Sequence, residues 1–403
     1  MKPVKTIIIS SSITLVLVTI AFSFLYLDFT KKLSNNSEII GGSAENSSVE
    51  QNIKPVDFQN KEIANQSINQ SRNTVITKTV SQVSPAVVGI NVTEIREYRD
   101  PWSRNPFWRH YFGDRVYQQP VKSLGSGVII SPDGYIITND HVAGKAVEVI
   151  VTLTDGSRYD AKIIGTDEAS DLCVLKIEGE NLPYVKFAED QSLLIGEWVI
   201  ALGNPFGLFA INDKPTVTVG VISSMGMNIG AVDNRYYLDM IQTDASINGG
   251  NSGGPLVNSI GELIGINTII YSPSQVSGSV GVGFAIPIWR VQKIVNEIID
   301  NGNVDRNYWT GLNVQNITNQ IASAFELDKA RGVIVSYIQP GSPAEKAGIK
   351  PYDVICKFGK YVVNDRNVLV GALADYRPED DIEINIIRNK KNITKKLKLE
   401  RKK

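Results

Sequence analysis

Asn248-Gly-Gly-Asn-Ser-Gly-Gly-Pro255 sets one serine, Ser252, among four glycines. A serine hydroxyl is a weak nucleophile and needs an adjacent base. Glycines let the backbone fold tightly around it, so that amide N–H groups can point at one spot beside the hydroxyl. Such amides hold the charge that develops on a carbonyl oxygen under attack. The stretch therefore reads as an acyl-transfer loop, and the rest of the chain has to supply the base.

The chain has two histidines, His110 and His141, and both precede Ser252. Gly250-Asn-Ser252-Gly-Gly254 also fits the nucleophile elbow of α/β-hydrolases, but that fold places its histidine after the serine. The order excludes it. His141, in Ile136-Ile-Thr-Asn-Asp-His-Val142, ends an apolar run, where a strand can hold a loop residue. His110, in Pro106-Phe-Trp-Arg-His-Tyr-Phe112, lies in an aromatic and basic stretch that suits a structural or interface role. His141 is the expected base. A carboxylate should orient the imidazole, and spacing alone does not choose among Asp140, Asp167 and Asp171. Asp171 heads the apolar run Leu172 to Ile177.

The residues resemble the Deg/HtrA serine proteases, a chymotrypsin-like domain followed by a PDZ domain. Eight motifs follow in that family's order. They are Gly125-Ser-Gly-Val-Ile-Ile-Ser131, Thr138-Asn-Asp-His-Val142, Ser170-Asp-Leu-Cys-Val-Leu-Lys-Ile177, Leu202-Gly-Asn-Pro-Phe-Gly207, Thr216-Val-Thr-Val-Gly-Val-Ile-Ser223, Ile241-Gln-Thr-Asp-Ala-Ser-Ile-Asn248, Gly250-Asn-Ser-Gly-Gly-Pro-Leu256 and Gly283-Phe-Ala-Ile-Pro287. The resemblance runs from about residue 74 to about 400 and implies a mainly β fold. The expected architecture is a double β-barrel protease over 74–303, then one α+β PDZ domain over 304–403. It implies His141 as base, Asp171 as orienter, Ser252 as nucleophile, and an oxyanion hole from the N–H groups of Gly250 and Ser252. Ile247 and Ile270 would line the S1 pocket, and Ser246 stands where a trypsin-like enzyme carries an acid. In the PDZ part, Thr310, Gly311 and Leu312 would capture the carboxylate of a C-terminal peptide.

Departures from the family pattern fall at Gly249 (usually Pro or Arg), Met227 (often an arginine that links the PDZ signal to the protease loops, a role open to Arg235) and Tyr352 (usually Gly).

Composition agrees with two globular domains: 42% of residues are apolar and the net charge is −1. So balanced a charge gives no broad pull toward nucleic acid. The Lys/Arg-rich end from Arg388 reads as a solvated hairpin. Two cysteines and two histidines do not build a familiar zinc framework, and no cofactor is expected. Cys173 and Cys356 read as buried free thiols.

Ile7 to Leu27 contains no charged residue. As a helix it would span about 31 Å at ~1.5 Å per residue, against a hydrocarbon core of ~30 Å. It lacks a small-residue cleavage site, so residues 1–27 read as a single-pass signal anchor of a bacterial inner membrane in preference to a cleaved signal, with the protease exported either way. The Asn- and Ser-rich stretch 28–73 reads as a disordered tether. The aromatic insertion Tyr98 to Tyr117 suggests either an interface or a lid, and in the family it reaches toward neighbouring subunits of a trimer. Protein and peptide substrates follow from the resemblance. So does a role in envelope quality control or stress signalling. The contrasting readings are a peptide-binding chaperone with an idle triad and an esterase.

Periodicity supplies the elements. Short apolar runs separated by turn residues predict strands at Val147 to Leu153, Arg158 to Ile164, Leu172 to Ile177 and Trp198 to Leu202. Ile288, Val291, Ile294, Val295 and Ile298 predict a helix over Ile288 to Asn301. In the last hundred residues the PDZ resemblance implies a strand at Gly332 to Ile338 and a groove-lining helix at Asn364 to Tyr376. Ile382, Ile384 and Ile386 alternate with polar residues as in a half-buried strand.

Overall fold

The computed structural model describes residues 71–99, 116–189, 193–204, 214–270, 281–327 and 329–402. The expected membrane anchor, the tether and His110 lie outside the described residues. Among the described residues no helix is long and apolar enough to cross a membrane.

The first lobe is a seven-stranded antiparallel sheet. Its order is Arg158–Asp160, Glu148–Thr152, Val87–Arg99, Val116–Ile129, Tyr135–Thr138, Leu172–Lys176 and Lys162–Asp167. The two edge strands are consecutive in sequence with only Ala161 between them, so the sheet curls until its ends meet at a corner. The run Arg158 to Ile164, expected as one strand, is broken there. The second lobe is a closed barrel of Met240–Thr243, Gly283–Pro287, Leu263–Ile270, Pro255–Asn258, Trp198–Gly203 and Thr216–Met227. The expected double barrel is thus one closed barrel and one curled sheet whose hydrogen-bond ladder stays open.

One apolar cluster joins the lobes, from Val87 and Ile136 through Leu175 and Ile200 to Ile286. Each such side chain withdrawn from water contributes roughly 1.5–3 kcal/mol. The helix Ile288–Asn301 forms as its spacing predicts. Its five periodic apolar residues are all buried, and Gly302 ends it in the left-handed region at φ 77°. A charge at Ile294 would sit in this core without a partner. The short helix Val75–Val83, capped by the Thr74 hydroxyl on Thr77 N–H at 3.2 Å, has no counterpart in the sequence reading.

The C-terminal domain is a sheet ordered Leu312–Asn316, Val333–Ile338, Val354–Phe358, Asp381–Arg388 and Lys391–Lys398, with the helix Arg366–Ala374 packed beside it. Along Asp381–Arg388 the isoleucines 382, 384 and 386 are buried, as their alternation predicts. Asp365 caps the helix by accepting from Val368 N–H at 3.0 Å.

The two domains pack directly. Leu238 of the N-terminal domain lies in the core of the C-terminal domain, fully buried. A β-carbon on Gly371 would come within 2.8 Å of Leu238 and 2.9 Å of Tyr236, so glycine lets the helix Arg366–Ala374 approach that closely. Arg306 donates to both carboxylate oxygens of Asp167 and to the carbonyl of Ala374. Arg377 pairs with Glu297 at 2.7 Å.

Candidate active site

The strand Tyr135–Thr138 pairs with Leu172–Lys176, Thr138 opposite Cys173. This register places the residues after the first strand beside those before the second. Asn139 leaves the first strand in extended geometry and begins a single helical turn, Asp140–Ala143, which carries His141. Before the second strand, Asp167 caps a 3-10 turn, Glu168–Ser170, by accepting from Ser170 N–H at 3.1 Å. Asp171 ends that turn with φ 57°, a left-handed conformation that Asp tolerates better than most residues. Asn139 Nδ2 donates to the Asp171 carbonyl at 2.9 Å and ties the two turns together.

Asp171 is fully buried, yet its carboxylate is well supplied with donors. His141 Nδ1 lies 2.9 Å from each oxygen, and the His141 backbone N–H donates to Oδ1 at 3.0 Å. Thr268 Oγ1 donates to Oδ2 at 2.6 Å, and the Tyr237 hydroxyl donates to the same oxygen at 3.1 Å. Burial alone pushes the carboxyl upward; the contacts with His141 and Thr268 outweigh it and hold it below its usual range. Asp140 points elsewhere: it accepts from Thr166 Oγ1 and from Arg235 Nη2, the latter at 2.7 Å. Asp167 pairs with Arg306. Of the three candidate carboxylates, only Asp171 meets the imidazole.

Ser252 sits across the lobe junction. Its loop is pinned by Asn251 N–H on the Asn248 carbonyl (3.0 Å), Gly253 N–H on the Asn267 carbonyl (2.8 Å) and Ser126 N–H on the Ser252 carbonyl (3.0 Å). Gly250 and Gly253 adopt φ values of 101° and 84°. At Gly253 a β-carbon would lie 2.2 Å from the Ser126 carbonyl oxygen, so no other residue fits without movement. Ser126 Oγ donates to the Gly250 carbonyl and accepts from Asn204 N–H, which holds the rear of the loop. The backbone N–H groups of Gly250 and Ser252 make no hydrogen bond among the described residues. The Ser252 hydroxyl donates to the Thr268 carbonyl at 3.0 Å and makes no hydrogen bond with His141.

The remaining candidates are spread over the two domains. Ile247 is fully buried at the base of the loop, while the side chain of Ile270 lies outside the described residues. The Ser246 carbonyl accepts from Thr218. Thr310, Gly311 and Leu312 form the turn into the sheet edge. There the Thr310 hydroxyl accepts from Leu312 N–H at 3.2 Å, and the Gly311 carbonyl accepts from Gln339 N–H at 2.9 Å. Met227 ends its strand opposite Met240. Cys173 is a buried free thiol pushed up to about 12 by burial and the Asp140 charge; Cys356 is free but only half-buried, not buried as expected.

Three groups around Asp171 escaped the sequence reading as site residues: Thr268, Tyr237 and Arg235. Each comes from the second lobe, 64 to 97 positions away. The one local signal is Asp233-Asn234, a two-residue turn with positive φ at both positions, which forms the hairpin carrying Arg235 and Tyr237.

Comparison with known proteins places this geometry. The trypsin-like peptidase domain pattern matches residues 125–266, and the PDZ domain pattern matches residues 310–399. A "Probable periplasmic serine endoprotease DegP-like" of Hahella chejuensis is 40% identical over 323 residues, covering 77% of this chain and 66% of the relative. A protein of the same name from Chlamydia trachomatis is 42% identical over 294 residues, covering 71% and 57%. One from Marinomonas sp. is 38% identical over 342 residues, covering 80% and 71%. The chain thus spans less than two thirds of the length of the first two relatives. Among solved structures, the HtrA-type protease AlgW with a decapeptide is similar at 36% identity and a TM-score of 0.60, covering 81% of this chain and 98% of that one. A serine endoprotease from Yersinia pestis is similar at 31% identity and a TM-score of 0.53, covering 82% and 99%.

Proposed function

Because the chain belongs to the DegP/HtrA family of serine endoproteases, we propose that it is an exported serine endopeptidase acting on unfolded or exposed protein segments. Ser252 attacks the scissile carbonyl. His141 takes its proton as general base and returns it to the leaving amine. Asp171 holds the imidazole tautomer and balances the imidazolium charge. The free N–H groups of Gly250 and Ser252 receive the oxyanion. The observation that carries this reading is the Asp171 carboxylate, buried and aimed at His141 Nδ1 at 2.9 Å. A buried carboxylate is costly unless its charge is used or paired, and here two of its four hydrogen-bond donors belong to the histidine.

The same reading assigns the protease to residues 74–303 and the PDZ domain to 304–403. Residues 7–27 act as the membrane anchor and 28–73 as the tether, with the protease on the periplasmic side. The PDZ domain takes C-terminal peptides at Thr310, Gly311 and Leu312, and the assembly is a homotrimer. A second reading, a peptide-binding scaffold with little proteolysis, is favoured by one observation: the Ser252 hydroxyl is turned to the Thr268 carbonyl.

Labelling the full chain with a fluorophosphonate separates the two. We expect Ser252 to be labelled and an unfolded protein such as casein to be degraded, with both lost in Ser252→Ala. Absence of labelling in the unsubstituted chain would leave the scaffold reading.

A further inference from the structure

We propose that Arg235 is a positioning residue of this reaction: its guanidinium, set between the carboxylates of Asp171 and Asp140, fixes Asp171 toward His141 and balances the charge beside the imidazole. The inference rests on the reading of His141 as the base. Arg235 Nη2 donates to Asp140 Oδ2 at 2.7 Å. Its Nε lies 3.1 Å from Asp171 Oδ1, an ion-pair contact that is not aligned as a hydrogen bond. The three side chains are 11%, 4% and 0% exposed. At such burial the charges interact far more strongly than at a surface.

The charge count shows what the arginine does. Asp140 and Asp171 contribute two negative charges within reach of one histidine. With Arg235 the cluster carries a net charge of −1, which an imidazolium cancels during the reaction. Without it the cluster carries −2, and the two buried carboxylates repel each other. Asp171 would then be held toward His141 against that repulsion only by the hydrogen bonds of Thr268, Tyr237 and His141 itself. The charged imidazole would be favoured before substrate arrives, when the base must be neutral.

The other groups around the imidazole do not share this task. Tyr237 is a neutral donor, its hydroxyl pushed up by burial and by the Asp171 charge. The thiol of Cys173 is pushed up to about 12, mainly by burial, and is neutral. On the 3-10 turn, Asp167 is paired with Arg306 and Glu168 with Lys145 at 3.9 Å. Toward the strand Val116–Ile129 the helical turn presents Val142 against Gly125, which is apolar. From the closed barrel come Thr268 and Ser252, which are uncharged. Among the described residues, Arg235 is therefore the arginine or lysine that faces this pair of carboxylates. A guanidinium suits the task because its planar fork reaches two acceptors at once, whereas an ammonium is a point charge.

The test is the pH dependence of peptide hydrolysis by the full chain and by Arg235→Met, Arg235→Lys and Asp140→Asn, with a separate sample of each labelled with a fluorophosphonate to count active sites. For Arg235→Met the expected result is a lower plateau of kcat with little change in KM, and an acid limb of kcat/KM moved to higher pH by about one unit. Arg235→Lys should recover much of the limb position. Asp140→Asn should move the limb to lower pH, and it carries the test alone if Arg235→Met does not fold. A uniformly lower rate in Arg235→Met with the limb unmoved would make Arg235 merely structural and overturn the inference. So would an unmoved or raised limb in Asp140→Asn. Failure of the unsubstituted chain to label at Ser252 would instead defeat the underlying assignment of the triad.

Discussion

The hydroxyl of Ser252 donates to the carbonyl of Thr268 at 3.0 Å, while the hydroxyl of Thr268 donates to Asp171 Oδ2 at 2.6 Å. One residue thus touches both the proposed nucleophile and the proposed orienting carboxylate. The Ser252 proton is directed at a backbone oxygen, and a torsion about one side-chain bond redirects it. Ser252→Ala removes one hydrogen bond, worth about 1 kcal/mol, so the melting temperature should barely change. Cleavage of a reporter peptide should fall by roughly 10⁴-fold or more. Comparable cleavage by Ser252→Ala would remove Ser252 from the reaction.

Acid should weaken the fold through Asp171. Its carboxyl is held below the usual range in the native state. A depressed native value means that stability from this group is complete above the unfolded carboxyl range, near pH 4. It is lost as pH falls further, toward the native value. Urea midpoints measured from pH 6 down to pH 3 should fall more steeply for the unsubstituted chain than for Asp171→Asn. Parallel curves would show that Asp171 carries no such linkage.

The buried residue Ile247 and the absence of an acid at Ser246 favour an apolar side chain in the specificity pocket. A Lys or Arg there would lose hydration without a counter-charge. A peptide library should be cut mainly after Val, Ile, Ala or Leu, by at least about tenfold over basic residues. Cleavage mainly after Lys or Arg would contradict the assigned pocket.

Much of this was legible in the sequence because it is local. The helix Ile288–Asn301 declares itself by five apolar residues at helical spacing, and the order of His141 before Ser252 excludes the hydrolase elbow. The choice of Asp171 over Asp140 was not legible from spacing. It depends on the pairing of Thr138 with Cys173 and on the turn capped by Asp167. Arg235, Tyr237 and Thr268 reach the site only when the second lobe closes against the first, and no local pattern encodes that contact. The open ladder of the first lobe also escaped, because it depends on the bend at Ala161.

Two departures from the family pattern should respond oppositely to glycine chemistry. Gly249 does not adopt a positive φ, and a β-carbon on it would meet nothing within 4 Å. Gly249→Ala should raise stability by about 0.4–1 kcal/mol by restricting the unfolded chain, with activity kept or increased as the loop stiffens. Tyr352 does adopt a left-handed φ of 71° and is 69% exposed. Relieving that conformation in Tyr352→Gly should stabilise by about 1 kcal/mol, less the loss of its ring contact with Phe325 at 6.1 Å. Melting curves that move the other way in either variant would contradict the backbone argument.

The last prediction concerns control by the PDZ domain. The strand Leu312–Asn316 ends its sheet and pairs on one side only, with Val333–Ile338. A peptide can add to the open side, with its carboxylate at the turn Thr310–Leu312 and its last side chain between Leu312 and the helix Arg366–Ala374. That helix rests on Tyr236 and Leu238, and the same segment carries Arg235 and Tyr237 to Asp171. A ligand can raise activity only if it prefers the conformation in which the site is formed. A coupling of about 1–3 kcal/mol corresponds to roughly 5- to 150-fold activation. Peptides ending in Phe, Val or Leu should therefore accelerate cleavage as free acids and not as amides. Gly371→Ala, which forces the helix away from Tyr236 and Leu238, should leave peptide affinity largely intact while reducing the activation. Equal effects of acid and amide would exclude carboxylate capture. Full activation in Gly371→Ala would exclude this contact as the route.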